Sequence, residues 1–298
     1  MHNRRVLVVG AAGRLGAAIV DVFADREVIA HTRASLDITD PTAVIRAVER
    51  AAPAVVVNCA AFNDVDGAED RPVEALATNA FGVRTLARAA DAAGATLVHY
   101  GSDFVFDGTA TAPYDEDASP SPMSTYAVSK LLGEWFALDA ARGFVLRVES
   151  LFGGPRGSMG RRGSLDAIVE GLQQGRAVPV FTDRVVSPSY VDDIARATKH
   201  LIDSQAPPGV YHCVNSGCAT WYEIAAEAAR ILGVTPRLEP ITVDQVRLKA
   251  RRPRFCALAN GKLAAAGFAM PAWHDALRRW LARPEGGIRH DTMDRVHG

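Results

Sequence analysis

The chain is poor in cysteine and in long apolar runs, and each scarcity excludes a class of protein. Only four of its 298 residues are cysteine. They form no CxxC pair and have no histidine at zinc-finger spacing, so we expect neither a disulfide framework nor a zinc site. Reduced thiols indicate a cytoplasmic protein. No apolar run reaches the roughly 18 residues of a membrane-spanning helix, and the first apolar run is too short for the core of a signal peptide.

An excess of charge is also missing. The formal net charge is −1, with 33 basic against 34 acidic side chains. A nucleic-acid-binding surface usually needs a basic excess, so nucleic acid is not an expected partner. The eight histidines show no HExxH or similar spacing, and we expect no metal site. Hydrophobic residues make up 48% of the chain, which is enough for a sizeable core without disulfides.

Short β-rich apolar runs alternate with alanine-rich helical stretches through the first half of the chain. The pattern predicts strands at 6–9, 28–30, 55–57, 97–100 and 145–148. It predicts helices at 14–24, from Asp40-Pro41 onwards, at 81–93 and at 126–140. Continuous apolar strands that alternate with helices indicate a parallel sheet covered on both faces. We therefore expect an α/β protein with a Rossmann-type, doubly wound parallel sheet, which binds ligands at the carboxyl ends of its strands.

The pattern changes after about residue 150. A stretch rich in glycine and arginine at 153–163 predicts a mobile loop. Helices are then predicted at 165–174, 192–203, 221–232 and 273–282, with short strands at 178–181 and 210–214. We expect a Rossmann domain at 1–150, joined by segments near 182–215, a smaller C-terminal α/β lobe for substrate at 151–283, and a flexible tail at 284–298.

A glycine-rich turn joins the first predicted strand to the first predicted helix. Gly10, Gly13 and Gly16 have the spacing G-x-x-G-x-x-G. The first glycine allows a tight turn, the second lets the backbone approach a pyrophosphate, and the third lets the helix pack closely on the strand. The helix start at Arg14 and Leu15 then offers free N–H groups and the positive end of a helix dipole to phosphates. A purely structural turn is the alternative.

The end of the second predicted strand bears on the choice of cofactor. A site that prefers NAD carries an acidic residue there, which binds the ribose hydroxyls. This chain reads His31-Thr32-Arg33 instead. Arg33, together with Arg14, can pair with the 2′-phosphate of NADP. We therefore expect NADP(H) as the preferred cofactor and NAD(H) as the second choice; an ordinary surface arginine is the alternative for Arg33.

Tyr126 and Lys130 have the spacing Y-x-x-x-K on a predicted helix, which puts both side chains on one face. A nearby ammonium lowers the pKa of a tyrosine, so Lys130 would tune Tyr126 for proton transfer, and it can also hold the nicotinamide ribose. Ser102 follows the strand at 97–100 and can hydrogen-bond a substrate carbonyl. Chance spacing and a routine Lys130–Glu134 ion pair are the alternatives. The glycine turn, Ser102, Tyr126 and Lys130 occur together and in the expected order along the chain, which favours the catalytic interpretation. A hydrolase is not expected, because Ser102 does not lie in a G-x-S-x-G motif.

Longer motifs extend these signals over nearly the whole chain, from Arg5 to about Leu281. Residues 101–108 read G-S-D-F-V-F-D-G, which is similar to the S-T-D-Y-V-F-D-G signature of the dTDP-4-dehydrorhamnose reductases, with Ser102 in the place of the catalytic threonine. The chain resembles this family of extended short-chain dehydrogenases/reductases in further segments, at 36–40, 57–69, 79–80, 120–134, 182–190, 209–223 and 252–263.

The resemblance implies an NADP(H)-dependent reductase that acts on a keto group of a nucleotide-linked deoxysugar, with Ser102, Tyr126 and Lys130 as catalytic residues. The implied cofactor contacts are Gly10, Gly13, Arg14, Leu15, Gly16, Arg33, Asp37, Ile38, Cys59, Ala60, Ala61, Asn79, Tyr126 and Lys130. The implied substrate contacts are Ser102, Asp103, Phe104, Ser150, Arg184, Ser187 and Arg252. The expected partner is the nucleotide sugar, with a homodimer among the expected assemblies and no nucleic acid or membrane.

Several positions in the substrate half depart from the family pattern. Residues 147–153 read R-V-E-S-L-F-G where the family usually reads R-T-x-W-V-Y-G, so Ser150 replaces a tryptophan. Arg184 replaces the usual glutamine and Cys256 the usual serine, and 157–163 also differs from the customary segment. These departures leave the sugar open. Two other functions stay open as well: a regulatory subunit like that of methionine adenosyltransferase, and a sugar-nucleotide epimerase or dehydratase with tightly held NAD.

Overall fold

The computed structural model describes residues 4–154 and 163–283, and a six-stranded parallel sheet lies at its centre. The strands are, in chain order, β1 (Val6–Val9), β2 (Val28–His31), β3 (Val55–Asn58), β4 (Thr96–Ser102), β5 (Gly143–Val148) and β10 (Gly209–His212). Across the sheet they run β10-β5-β4-β3-β1-β2, and every neighbouring pair is parallel. The predicted α/β fold with a doubly wound parallel sheet is confirmed.

Helices cover both faces of this sheet. These helices are α1 (Arg14–Val22), α2 (Pro41–Ala51), α5 (Gly82–Ala92), α6 (Thr125–Leu138) and α8 (Val191–Asp203). Two short helices, α3 (Val65–Asp70) and α4 (Pro72–Leu76), pack against α6. The apolar residues of β1 alternate between the faces: Val8 packs in one core with α1 and α8, and Leu7 packs in another with α2 and α5. The first α2 turn is built as predicted, because the Asp40 side chain accepts a hydrogen bond from the backbone N–H of Ala43.

The C-terminal elements have a core of their own. They are β6 (Leu151–Phe152), α7 (Ser164–Gln173), β7 (Ala177–Phe181), β8 (Val185–Val186), β9 (Ser189–Tyr190), β11 (Ala219–Thr220), α9 (Trp221–Leu232), β12 (Arg237–Ile241), α10 (Gly261–Ala265) and α11 (Trp273–Leu281). Their small sheets pair β6 with β9, β7 with β12 and β8 with β11. Phe152, Leu165 and Ile224 are buried among them. The strand predicted at 210–214 is β10 (Gly209–His212), which lies within the segments expected to join the Rossmann domain and pairs with β5 in the central sheet.

Some sequence-based boundaries stay predictions. The division into a domain at 1–150 and a lobe at 151–283 is one of them. Most of the predicted loop at 153–163 and the whole tail at 284–298 lie outside the described residues. Among the residues that the structure does describe, no helix is both long and apolar enough to cross a membrane.

The sheet changes direction of winding between β1 and β3, which are neighbours although β2 lies between them in sequence. The connections that follow the two strands leave in opposite directions, which opens a crevice at the carboxyl ends of the strands. The turn after β1 closes one wall of it. Gly10 has a φ of +79°, and a Cβ there would lie 2.6 Å from the backbone nitrogen of Ala60. Only glycine fits this position, since both the backbone angle and the close approach exclude a side chain.

Candidate active site

Two adjoining cavities open at this crevice. The larger, of about 700 Å³, extends from the glycine turn to the ends of β4 and β5. The smaller, of about 430 Å³, lies beside the turn after β2. Both are lined by Gly13, Arg33, Cys59, Ala60, Ala61, Phe62 and Asn63. An elongated ligand can therefore occupy both cavities at once.

The N-terminus of α1 forms part of the wall of the larger cavity. Leu15 and Gly16 line the cavity, and Gly13 lies at the N-cap position. No side chain in the described part of the chain caps this end of α1. The first N–H groups of a helix have no partner within the helix, so they are available to an anion here.

The two arginines predicted to read the cofactor have different surroundings. Arg33 is exposed and lines both cavities. Arg14 lines the larger cavity, but its guanidinium forms an ion pair with Asp166 of α7, with one contact at 3.1 Å between Nη1 and Oδ1. Arg14 therefore holds α1 against α7, whereas Arg33 forms part of the wall that the two cavities share.

The other predicted cofactor contacts divide in the same way. Asp37 and Ile38 line the smaller cavity together with Gly10. Asn79 is buried in a π-helical turn at Ala77–Phe81 and is not among the described residues that line either cavity. Its Oδ1 accepts a hydrogen bond from the backbone N–H of Phe62 at 2.8 Å, and its Nδ2 donates one to the backbone C=O of Phe62 at 3.0 Å. Asn79 therefore holds the loop of Phe62, which lines both cavities, without lining them itself.

The three predicted catalytic side chains meet in the larger cavity. Ser102 is the last residue of β4, and Tyr126 and Lys130 project from α6. The hydroxyl of Ser102 donates to Oδ1 of Asp103 at 3.1 Å, and Lys130 Nζ donates to the carbonyl oxygen of Tyr100 at 2.6 Å. A hydroxyl, a phenol and an ammonium thus converge on one wall, a set that can transfer a proton and polarise a carbonyl.

The ionisation of this set differs from the prediction. Burial, followed by the charge of Asp103, raises the pKa of Tyr126, so the direction is opposite to the expected lowering by Lys130. Burial also lowers the pKa of Lys130 to about 8, against an opposing effect of Glu134. The physical reason is that desolvation disfavours both charged forms, and the ammonium is directed at a backbone carbonyl.

The spacing along the helix predicts Glu134 only as an ion-pair partner of Lys130, whereas the structure places Glu134 in a larger network. Its Oε1 accepts a hydrogen bond from the backbone N–H of Ser102 at 3.3 Å. Its Oε2 accepts from Nε and Nη2 of Arg147, at 3.0 and 2.9 Å, and both side chains are buried. The backbone of Ser102 is therefore held from α6, a link that sequence spacing could not reveal.

Only some of the predicted substrate contacts line the larger cavity. Asp103, Phe104 and Ser150 line the larger cavity, and Ser150 has a φ of +46°, which is unusual for a residue with a side chain. Arg184 instead lines a further cavity of about 360 Å³ beside β7. Arg252 forms an ion pair with Asp66 at 2.9 Å.

One residue of the cavity wall was not singled out in the sequence. Glu149 is 3% exposed and lines the larger cavity beside Asp103. The backbone N–H of Ser187 donates to its Oε2 at 2.8 Å. Ser187 thus supports Glu149 and is not among the described residues that line the larger cavity. The only signal in the sequence was that Glu149 lies in the stretch that departs from the family pattern.

Comparisons with known proteins show relatives that match nearly the whole chain. A family model for the RmlD substrate-binding domain matches residues 4–285. The chain is 36% identical over 288 residues to a dTDP-4-dehydrorhamnose reductase of Streptomyces griseus, covering 93% of this chain and 91% of the relative. It is also 36% identical to a probable dTDP-4,6-dihydroxy-2-methyloxan-3-one 4-ketoreductase of Streptomyces antibioticus, covering 92% and 93% of the two chains. A crystal structure of the dTDP-4-dehydrorhamnose reductase of Bacillus anthracis in complex with NADP matches with a TM-score of 0.87 and 28% identity, covering 93% of this chain and 98% of that one.

The doubly wound sheet, with Ser102, Tyr126 and Lys130 on the long cavity at its switch point, is the arrangement of the extended short-chain dehydrogenases/reductases. The chain belongs to the RmlD substrate-binding domain family, the family of the dTDP-4-dehydrorhamnose reductases. The resemblance inferred from the sequence motifs is thereby confirmed.

Proposed function

We propose that this chain is a reductase that uses NADPH to reduce a keto group on a nucleotide-linked deoxysugar. The observation that carries the proposal is the convergence of Ser102, Tyr126 and Lys130 on one cavity, which also contains the uncapped N-terminus of α1. Relatives at 36% identity that carry reductase names support the same activity.

The residues of the two cavities fit a dinucleotide. The start of α1 offers N–H groups to a pyrophosphate. Asp37 and Ile38 line the smaller cavity, which suits an adenosine. Arg33 lines the wall between the cavities, where its guanidinium can pair with a 2′-phosphate, and this favours NADPH over NADH. A relative whose crystal structure contains NADP supports this preference.

The side chains divide the chemistry between them. NADPH, when bound, supplies a hydride to the carbonyl carbon. Tyr126 is buried as a neutral phenol and donates its proton to the carbonyl oxygen as negative charge develops there. When substrate binds, the Ser102 hydroxyl turns from Asp103 to donate its hydrogen bond to the same oxygen, and it stabilises that charge. Lys130 keeps a positive charge close to the reacting groups.

Replacement of Tyr126 by phenylalanine tests this assignment. We expect Tyr126→Phe to lower kcat by about 10²-fold or more with dTDP-4-dehydrorhamnose and NADPH, because it removes only the proton donor. NADPH binding, followed by nicotinamide fluorescence, should be unchanged. Tyr222→Phe, on the exposed surface of α9, is the matched control and should behave as wild type. Full turnover by the Tyr126→Phe enzyme would refute the role.

The alternative functions find less support. A regulatory subunit does not need a proton donor, a carbonyl-binding hydroxyl and an ammonium on one cavity wall. An epimerase or dehydratase with tightly held NAD would be expected to have an acidic residue at the end of β2, where Arg33 lies. Purification of the protein with NAD bound and without reductase activity would favour the epimerase or dehydratase.

The assembly and the location are proposals of the same kind. A homodimer is supported by an apolar face on α6, formed by Val128, Trp135 and Leu138 next to Phe81; Trp135 is 56% exposed. Large apolar side chains exposed together usually mark an interface. A cytoplasmic location rests on the cysteine usage alone.

A further inference from the structure

Two departures from the family pattern, Arg184 and Cys256, lie far apart in sequence and come together in space. Nη2 of Arg184 lies 4.0 Å from Sγ of Cys256. Atoms of Asp103, Glu149 and Cys256 that could act as ligands all lie within 4.8 Å of one another. All three of these side chains are buried. Arg184 and Cys256 therefore belong, with Asp103 and Glu149, to one polar cluster beside Ser102.

Glu149 is the member of this cluster with an unused polar atom. Its Oε2 accepts the backbone N–H of Ser187 at 2.8 Å. Its Oε1 is buried and has no hydrogen-bond partner among the described residues. A buried polar atom without a partner costs free energy, unless something else in the working protein satisfies it. Glu149 lines the larger cavity, so a ligand in that cavity can reach this side chain.

The charges around Glu149 favour its neutral form. Burial and the neighbouring carboxylate of Asp103 raise the pKa of Glu149 well above its usual value. Arg184 and the N–H of Ser187 oppose this shift, and the Cys218 thiol adds to it. Burial raises the pKa of Asp103 to about 6, while Arg184, Ser102 and Cys256 act against this shift because they stabilise its carboxylate. One negative charge on Asp103 then balances the positive charge of Arg184.

The position of the proton follows from the hydrogen bonds. In a protonated carboxyl group the carbonyl oxygen is the stronger hydrogen-bond acceptor, so the oxygen that accepts an N–H is preferentially the one without the proton. Oε2 accepts from Ser187, so in the neutral acid the proton lies on Oε1. The atom without a partner is thus a hydrogen-bond donor, and it requires an acceptor.

We propose that Glu149 is a neutral carboxylic acid that donates a hydrogen bond from Oε1 to a substrate oxygen, as a second donor beside Ser102. The inference rests on the proposed function and adds to it a preference for a sugar whose acceptor oxygen lies on the Glu149 side of the larger cavity. A divalent cation is the competing occupant of the cluster. It would need ionised carboxylates next to the guanidinium of Arg184, which repels it.

Two substitutions separate a neutral donor from a carboxylate. Glu149→Gln keeps the shape and a hydrogen-bond donor but cannot ionise, whereas Glu149→Ala removes the donor. With dTDP-4-dehydrorhamnose and NADPH, we expect Glu149→Gln to keep kcat/KM within about threefold of wild type and Glu149→Ala to lower it by about tenfold or more. Wild-type kcat/KM should also fall further at high pH than that of Glu149→Gln, because only Glu149 can lose the proton.

Other results would overturn the inference. If Glu149→Gln loses as much activity as Glu149→Ala, the ionised form is the working one. If Glu149→Ala is fully active, the residue does not contact substrate. NADPH fluorescence titration of each variant checks that the cofactor site is intact.

Infrared spectroscopy gives a test that needs no turnover. The wild-type protein should show the C=O stretch of a protonated carboxylic acid that is lost in Glu149→Gln, and its absence would overturn the inference. Failure of the wild type to reduce any nucleotide keto-sugar would instead reject the proposed function. The two failures are therefore distinguishable.

Discussion

Lys130 illustrates how one buried residue keeps its charge. Burial lowers the pKa of its ammonium to about 8, which still leaves it mostly protonated at neutral pH. Two groups oppose the loss of the proton: the carboxylate of Glu134 and the carbonyl oxygen of Tyr100, which accepts a hydrogen bond of 2.6 Å. Because the ammonium has these fixed partners, a positive charge is maintained in the cavity that Ser102 and Tyr126 also line.

Arg33 carries a prediction at the same scale. Arg33→Ala should weaken NADPH binding about tenfold or more and leave NADH binding nearly unchanged, because a charge-assisted hydrogen bond to a phosphate contributes about 1.5–3 kcal/mol. Fluorescence titration with both cofactors measures this. Arg46→Ala, on the exposed face of α2, is the control. Equal weakening for NADPH and NADH would show that Arg33 does not contact the 2′-phosphate.

At the scale of elements, one buried network ties α6 to β5 and to the edge strand β10 of the sheet. Glu134 on α6 accepts two hydrogen bonds from Arg147 on β5, and Nη1 of Arg147 lies 3.3 Å from Nε2 of His212 on β10. Burial, with the charge of Arg147, lowers the pKa of His212 to about 3, so this histidine is neutral and can accept at Nε2. The helix that carries Tyr126 is thereby fixed relative to the strand that carries Ser102.

Removal of the acidic partner should therefore affect the whole protein. Glu134→Gln leaves the buried guanidinium of Arg147 without its counter-charge, and breaking a buried ion pair in this way costs about 3 kcal/mol or more. We expect a matching loss in the free energy of unfolding, measured by urea denaturation. Glu49→Gln, exposed on α2, is the control. If the two substitutions have equal effects, the network does not stabilise the fold.

At the scale of the molecule, the site lies where separate parts of the chain meet. The cavity walls come from the turns after β1 and β3, from the ends of β4 and β5, and from α6. The ion pair between Arg14 and Asp166 joins α1 to α7, across 152 positions of sequence. The ion pair thereby links α1, which forms part of the cavity wall, to the C-terminal elements.

The proposed homodimer is tested at this scale. Trp135→Glu places a charge on the apolar face of α6, and we expect it to convert a dimer to a monomer, because burying an unpaired charge is costly. Size-exclusion chromatography with light scattering measures the mass. Arg88→Glu, exposed on α5, controls for the added acidic charge. A wild-type monomer, or a dimer that survives Trp135→Glu, would reject this interface.

The parts of the molecule that were predicted correctly depend on local signals. The glycine spacing, the Asp40-Pro41 helix start and the apolar runs each specify backbone geometry within a few residues. The strand β12 was missed, because Arg237–Ile241 contains a proline and is largely exposed, without a clear alternation. The partner of Arg14 was also missed, because the ion pair depends on how α7 packs and not on any spacing along the chain.

By itself the sequence determined the α/β fold, the order of the glycine turn, Ser102, Tyr126 and Lys130, and the family, because periodicity and ordered motifs are written along the chain. Only the tertiary structure decided which of these groups are charged and what they touch. Burial raised the pKa of Tyr126 against expectation. The packing of the chain directs the Asn79 side chain to the backbone of Phe62 and places Glu149 next to Asp103. The reason is physical: desolvation and Coulomb interactions depend on distance in space, which residue spacing does not specify.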